Sequence, residues 1–221
     1  MVQFKRPDGK TVDGYLAEPP NKANAPGVVV IQEWWGMDDQ IKEAKTQVAL
    51  KDFIAVLPDY NILPHSDTGC MNIPNGVQVE TWLTSDMHEF ATKFIGIDAR
   101  PWTSFGYSTG GWCSAEVAVR HPDQYNMAIS LAGYYKPNFA VGLTSQERAT
   151  LTKEYDLVAI LQSETSTLKM LGIYSGQNDS ETRNMQNFRD QVGSTLNLKT
   201  IEIPVGGHNI QVWKPYVYTG F

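Results

Sequence analysis

Apolar positions along the chain change their period several times, and each change marks a new element. Gln3–Lys5 and Val12–Ala17 flank the turn signal Pro7-Asp8-Gly9 and predict an antiparallel hairpin. After Pro26-Gly27 the run Val28-Val29-Val30-Ile31 is short, continuous and β-branched, which suits a central strand covered on both faces. Asp38-Asp39 ahead of Ile41, Ala44, Lys45, Val48 and Ala49 combines an N-cap with a spacing near 3.6 and predicts a helix; Phe53–Leu57, stopped by Pro58, is the next strand. Residues 58–78 are rich in Pro, Asn, Asp, Ser and Gly and form a long irregular connection. From Val79 onward Trp82, Leu83, Met87, Phe90, Ala91 and Phe94 return every three to four positions, giving a helix whose aromatic residues read as core packing. Strands follow at Trp102–Phe105, Met127–Leu131, Leu168–Tyr174 and Leu198–Ile203. They alternate with helices at Thr109–Arg120 and Ser180–Val192 and end in a short helix at Gln211–Tyr218. Between Tyr134 and Thr167 the pattern is mixed, with one weak helix around Leu151–Leu161. This alternation implies right-handed crossovers and a mostly parallel central sheet flanked by helices on both faces, as one α/β domain over 1–221.

Composition narrows the function. With 42% hydrophobic and 19% charged residues the chain can bury a core and is not a disordered one. A net charge of -6 lacks the basic footprint of a nucleic-acid binder or of a protein held on anionic lipid, so neither is expected as a partner. Its apolar runs fall far short of the roughly 18 residues of a membrane helix. The N-terminus MVQFKRPDGK lacks the apolar core of a signal peptide, which reads as cytoplasmic by default, although a mature secreted form would look the same. Cys70 and Cys113 have no zinc-ligand spacing, and His88-Glu89 is not followed by the second histidine of a zincin. Neither a metal nor a cofactor is expected. The two cysteines are either free thiols or one bridge.

Chemistry concentrates in Trp102-Thr103-Ser104-Phe105-Gly106-Tyr107-Ser108-Thr109-Gly110, which holds a G-x-S-x-G match between an apolar strand and a helix. Glycines at Gly106 and Gly110 allow a sharp turn and a close approach of strand and helix, which would leave Ser108 at a strained tip as a nucleophile. A serine hydroxyl needs a base to take its proton. Of four histidines, His88 lies inside the amphipathic helix, His121 ends the elbow helix and His65 sits in the Pro-rich connection. His208 follows the last strong strand in Pro204-Val205-Gly206-Gly207-His208, at the sheet edge where open α/β sheets place their sites. In the chain order serine, acid, histidine, the acid is Asp179 just after the strand Leu168–Tyr174, with Glu181 as runner-up and Asp156 in a less regular region. The alternative role for an acid at position 179 is to cap the next helix.

At these residues the chain resembles the α/β-hydrolase superfamily, through two of its branches. Residues 12–60, with Val28-Val29-Val30-Ile31-Gln32-Glu33-Trp34-Trp35-Gly36 and Leu57-Pro58-Asp59-Tyr60, resemble the dienelactone hydrolase family. Residues 67–213 resemble the esterase D or putative esterase family through Glu80-Thr81-Trp82-Leu83-Thr84, Gly106–Cys113, Arg120-His121-Pro122 and Gly206-Gly207-His208. The two meet near residues 58–66, which leaves a natural intermediate and a recombined or designed chimera both open.

The resemblance implies Ser108 as nucleophile, Asp179 as acid and His208 as base, with oxyanion donors in the backbone N–H groups of Trp34 and Thr109. Dienelactone hydrolases carry Cys at the nucleophile and a basic residue soon after the histidine; here Ser108 and Asn209-Ile210-Gln211-Val212 stand instead. Glu33 matches that family's buried glutamate, and Trp34, Trp35 and the 58–78 connection would line a pocket for a small or aromatic ester. The expected function is a cofactor-independent serine hydrolase that cleaves small-molecule carboxylic esters through an acyl-enzyme. The alternative is a catalytically silent or engineered α/β-hydrolase scaffold, such as a binding protein. The oligomeric state is left open. Asp67-Thr68-Gly69-Cys70, in its esterase-like context, favours a Cys70–Cys113 bridge, and the missing export signal argues against it.

Overall fold

Four branched aliphatic residues in a row leave the strand at Gly27–Ile31 no face that tolerates water, and every residue of it is buried. A computed structural model describes residues 2–5, 9–21, 25–32, 53–58, 67–96, 101–139, 142–164, 166–176 and 181–217. Within them lie eight strands: β1 (Val2–Lys5), β2 (Thr11–Ala17), β3 (Gly27–Ile31), β4 (Ile54–Leu57), β5 (Trp102–Tyr107), β6 (Tyr125–Leu131), β7 (Lys169–Ser175) and β8 (Asn197–Ile203). They form one sheet in the order β1-β2-β4-β3-β5-β6-β7-β8. The expected hairpin pairs β1 with β2, and β2 runs antiparallel to β4; every later pairing is parallel. The sheet is therefore mostly parallel, as the alternation of strands and helices requires.

Alternate residues of β3 feed two cores. Val29 and Ile31 join the apolar cluster of Trp82, Met87, Trp112, Val117 and Phe188, whereas Val28 and Val30 join that of Phe105, Ile129, Leu171, Ile173 and Trp213. The first cluster is covered by α1 (residues 79–95), α2 (Thr109–Arg120), α3 (Ser145–Glu154), α4 (Leu157–Ser163) and α5 (Thr182–Val192), the second in part by α6 (Ile210–Val217). Helix α1 alternates α-helical Val79–Thr81 and Met87–Phe90 with wider turns over Trp82–Asp86 and Ala91–Ile95, and ends where Gly96 adopts φ 73°. Within the first wide turn the Thr84 hydroxyl donates to the Glu80 carbonyl (2.8 Å). The helix expected after Asp38-Asp39 lies outside the described residues.

One expectation is corrected. The weak helix around Leu151–Leu161 is two helices, broken at Tyr155-Asp156. Thr144 and Glu147 form a capping box that starts α3, and the Asp156 carboxylate accepts from the Ala159 N–H (3.1 Å) to start α4. At the break Tyr155, fully buried, donates its hydroxyl to Glu80 (2.5 Å) and accepts from the Asn72 N–H (3.0 Å).

Tyr155 is one member of a buried charge cluster. The Glu80 carboxylate also accepts from Arg120 Nε (2.7 Å) and lies 2.7 Å from His121 Nε2. Burial raises the Glu80 carboxyl, but His121, Arg120 and Tyr155 outweigh it and hold the group at about 2. Glu116 is fully buried, and its carboxyl oxygens make no hydrogen bond among the described residues. Burial and the neighbouring Glu80 charge raise it well above the ordinary 4.5, and Arg120 Nε at 3.4 Å does not offset them.

The two acids respond to pH with opposite sign. Glu80, depressed in the fold, contributes stability that is lost as pH falls from about 4.5 toward about 2. Glu116, raised in the fold, contributes stability that is present below 4.5 and is lost as pH rises above it. Calorimetry of Glu116→Gln should therefore give a Tm advantage over the wild type that grows between pH 5 and pH 8. A Tm difference independent of pH would mean that Glu116 is ionised in the fold.

Candidate active site

The turn from β5 into α2 has no room for side chains on either flank of Ser108. A Cβ on Gly106 would lie 2.3 Å from the Gly110 carbonyl oxygen and 2.8 Å from that of Ile31. One on Gly110 would lie 2.3 Å from the Ile31 carbonyl oxygen and 2.9 Å from that of Gln32. Both glycines are thus required by the approach of the β3 terminus to the first turn of α2. Between them Ser108 adopts φ 53° and ψ -117°, a conformation that costs a non-glycine residue of order 1–3 kcal/mol. Its N–H donates to the Leu131 carbonyl (2.8 Å) and its carbonyl accepts from the Trp112 N–H (3.0 Å), so the strained residue is held from both sides.

His208 reaches the same place from β8. The turn after β8 needs its glycines, because Gly206 and Gly207 adopt φ 147° and 66°. The Gly207 N–H donates to Ser175 Oγ (3.0 Å) and the Gly176 N–H to the Ile203 carbonyl (2.7 Å), which ties the turn to the end of β7. The result is a hydrogen bond of 2.9 Å between His208 Nε2 and Ser108 Oγ. Buried Trp213 meets the imidazole edge-on at 5.0 Å between ring centroids and lies 6.2 Å from the Tyr107 ring. The other described histidines have different surroundings. His88 packs on Trp102 at 4.4 Å, with its proton affinity lowered by burial against the charge of Asp123, and His121 belongs to Glu80. His65 lies outside the described residues.

Asp179, Glu33, Trp34 and Trp35 also lie outside the described residues. Of the runner-up acids, Glu181 stands at the N-cap of α5 and accepts from Asn184 Nδ2 (2.5 Å), and Asp156 caps α4. Thr109, 5% exposed, opens the first turn of α2 directly after Ser108.

A strap of residues 67–70 runs along α2. Cys70 and Cys113 form a disulfide with Cα atoms 5.6 Å apart. Trp112 Nε1 donates to the Gly69 carbonyl (2.7 Å), and Thr109 Oγ1 donates to Asp67 Oδ2 (3.4 Å). Asp67 closes its own turn by accepting from the Gly69 N–H (2.7 Å). From the sequence Asp67 enters only as context for the Cys70–Cys113 bridge, and Ser175 is given no role. An Asp two residues before a glycine signals such a turn, but its second partner across the fold leaves no local trace.

Residues 12–64 match the Dienelactone hydrolase family model, ending within the interval where the two resemblances meet. The protein usf of Aquifex pyrophilus is 43% identical over 63 residues, a stretch that spans 27% of this chain and 26% of that protein. An S-formylglutathione hydrolase from Agrobacterium tumefaciens superposes over 98% of this chain and 90% of its own, with a TM-score of 0.78 and 12% identity. A fluorophosphonate-binding serine hydrolase of Staphylococcus aureus does so over 99% and 94%, with a TM-score of 0.76 and 11% identity. The fold is that of the α/β-hydrolases, with a dienelactone-hydrolase-like N-terminal part.

Two measurements check the geometry. Gly110→Ala should destabilise the protein by about 3 kcal/mol, because the clash is with backbone that cannot yield; an unchanged denaturation midpoint would contradict the close approach. Titration of denatured, unreduced protein should find no free thiol. Cys70→Ser with Cys113→Ser should cost about 4 kcal/mol, the loop-entropy value for cysteines 43 residues apart.

Proposed function

We propose that the chain is a serine hydrolase that cleaves carboxylic esters through an acyl-enzyme, with Ser108, His208 and Asp179 as its triad. The observation that carries this reading is the 2.9 Å hydrogen bond between Ser108 Oγ and His208 Nε2 at a strained strand-to-helix turn. As Ser108 Oγ attacks the acyl carbon, its proton passes to Nε2, and the carbonyl oxygen gains the negative charge. The N–H groups of Thr109 and Trp34 receive that oxyanion. Collapse of the tetrahedral intermediate breaks the bond to the alcohol oxygen, to which the His208 imidazolium returns the proton. Water then attacks the Ser108 ester in the same way, yielding the acid and free Ser108. Asp179 accepts from the other imidazole nitrogen and stabilises the imidazolium.

No basic side chain follows His208 in Asn209–Val212, so a substrate carboxylate of the dienelactone type finds no counter-charge there. Trp34, Trp35 and the connection at 58–78 are assigned to the pocket, which suits a small or aromatic ester better than a long lipid.

The wild type should bind a fluorophosphonate probe covalently and hydrolyse p-nitrophenyl butyrate; Ser108→Ala should do neither and keep its Tm. A wild type that neither labels nor turns over identifies a silent scaffold instead. Asp179→Asn should lower kcat by up to about four orders of magnitude and Glu181→Gln only slightly; the reverse ranking reassigns the acid. Activity should rise with pH as His208 loses its proton, since only neutral imidazole accepts from serine.

A further inference from the structure

We propose that Asp67 sets the charge specificity of this site, disfavouring esters whose acyl or alcohol part bears a carboxylate or phosphate and favouring uncharged and ammonium-bearing ones. The proposal rests on the reading of Ser108 as nucleophile.

The strap meets α2 at Thr109, Trp112 and Cys113, positions i, i+3 and i+4, and so lies along one face of the helix. Its order fixes which end carries the charge. Cys70 is bonded four residues into the helix, whereas Asp67 is bonded to Thr109, the residue next to Ser108. The Asp67 carboxylate is thus one hydrogen bond from the residue whose N–H receives the oxyanion. Its partners are neutral donors only, the Gly69 N–H and the Thr109 hydroxyl, and no Lys, Arg or His pairs with it among the described residues. Burial raises its proton affinity above the ordinary 3.8, and both donors oppose that rise. A half-buried charge is screened less than one in open water, so it opposes an incoming anion and favours an incoming ammonium group. The disulfide and the Trp112 bond hold the strap in place, so the charge cannot swing away when an anion enters.

The test compares kcat/KM for three esters: p-nitrophenyl butyrate, mono-p-nitrophenyl succinate, which adds a carboxylate at similar length, and butyrylthiocholine, which carries a quaternary ammonium. The wild type should disfavour the succinate by about tenfold or more against the butyrate. Asp67→Asn keeps an acceptor for Thr109 and Gly69 and removes the charge; it should shrink that ratio by about tenfold and lower the thiocholine-to-butyrate ratio. Ratios cancel any general loss of activity. Raising NaCl to 0.5 M should narrow the wild-type ratio and leave that of Asp67→Asn unchanged. If Asp67→Asn alters all three esters alike, Asp67 only holds the strap and the proposal is wrong. A wild type that fails to label with fluorophosphonate and hydrolyses no ester overturns the underlying reading, and this proposal with it.

Discussion

The space left empty at positions 106 and 110 governs the site. Because no Cβ stands there, the first turn of α2 settles against the end of β3, and the chain between β5 and α2 must turn within a single residue. That residue is Ser108, and its positive φ follows from the tightness of the turn. Strain of order 1–3 kcal/mol is tolerated because the elements on both sides are fixed by burial: β3 and β5 are buried throughout, and so is every residue of α2 before Arg120.

A second constraint acts at the far end of α2. Glu80 on α1, Glu116, Arg120 and His121 on or just past α2, and Tyr155 between α3 and α4 share one buried cluster, which reaches the residues beyond the strap through the Asn72 N–H. With one carboxylate held ionised by three donors and the proton affinity of a second raised by burial, two acids face one arginine at a bearable cost. The helix that carries Ser108 is therefore located at its start by backbone contact and at its end by charge.

Much of this was legible wherever local pattern and burial agree. The run Val28–Ile31 gave β3 because a strand buried on both faces needs no alternation, and G-x-S-x-G between a strand and a helix marked the elbow. The break at Tyr155 was not legible, because it depends on a tyrosine reaching Glu80 from 75 positions away. The turn before His208 is specified by the φ values of Gly206 and Gly207 and by the Ser175 bond, the last of which leaves no local trace in the sequence. The bond of Asp67 escaped for the same reason as that of Tyr155: Thr109, its partner across the fold, is 42 residues distant.

The disulfide makes residues 70–113 a closed covalent ring that contains α1, β5 and Ser108. Tension applied at the two termini would pass through the bridge and leave that ring slack. With the cysteines 43 positions apart, about 150 Å of contour length is withheld from any such pull. Under load the chain would surrender β1–β4 and the segments after α2 first, and the elbow would come apart only by losing its packing within the ring.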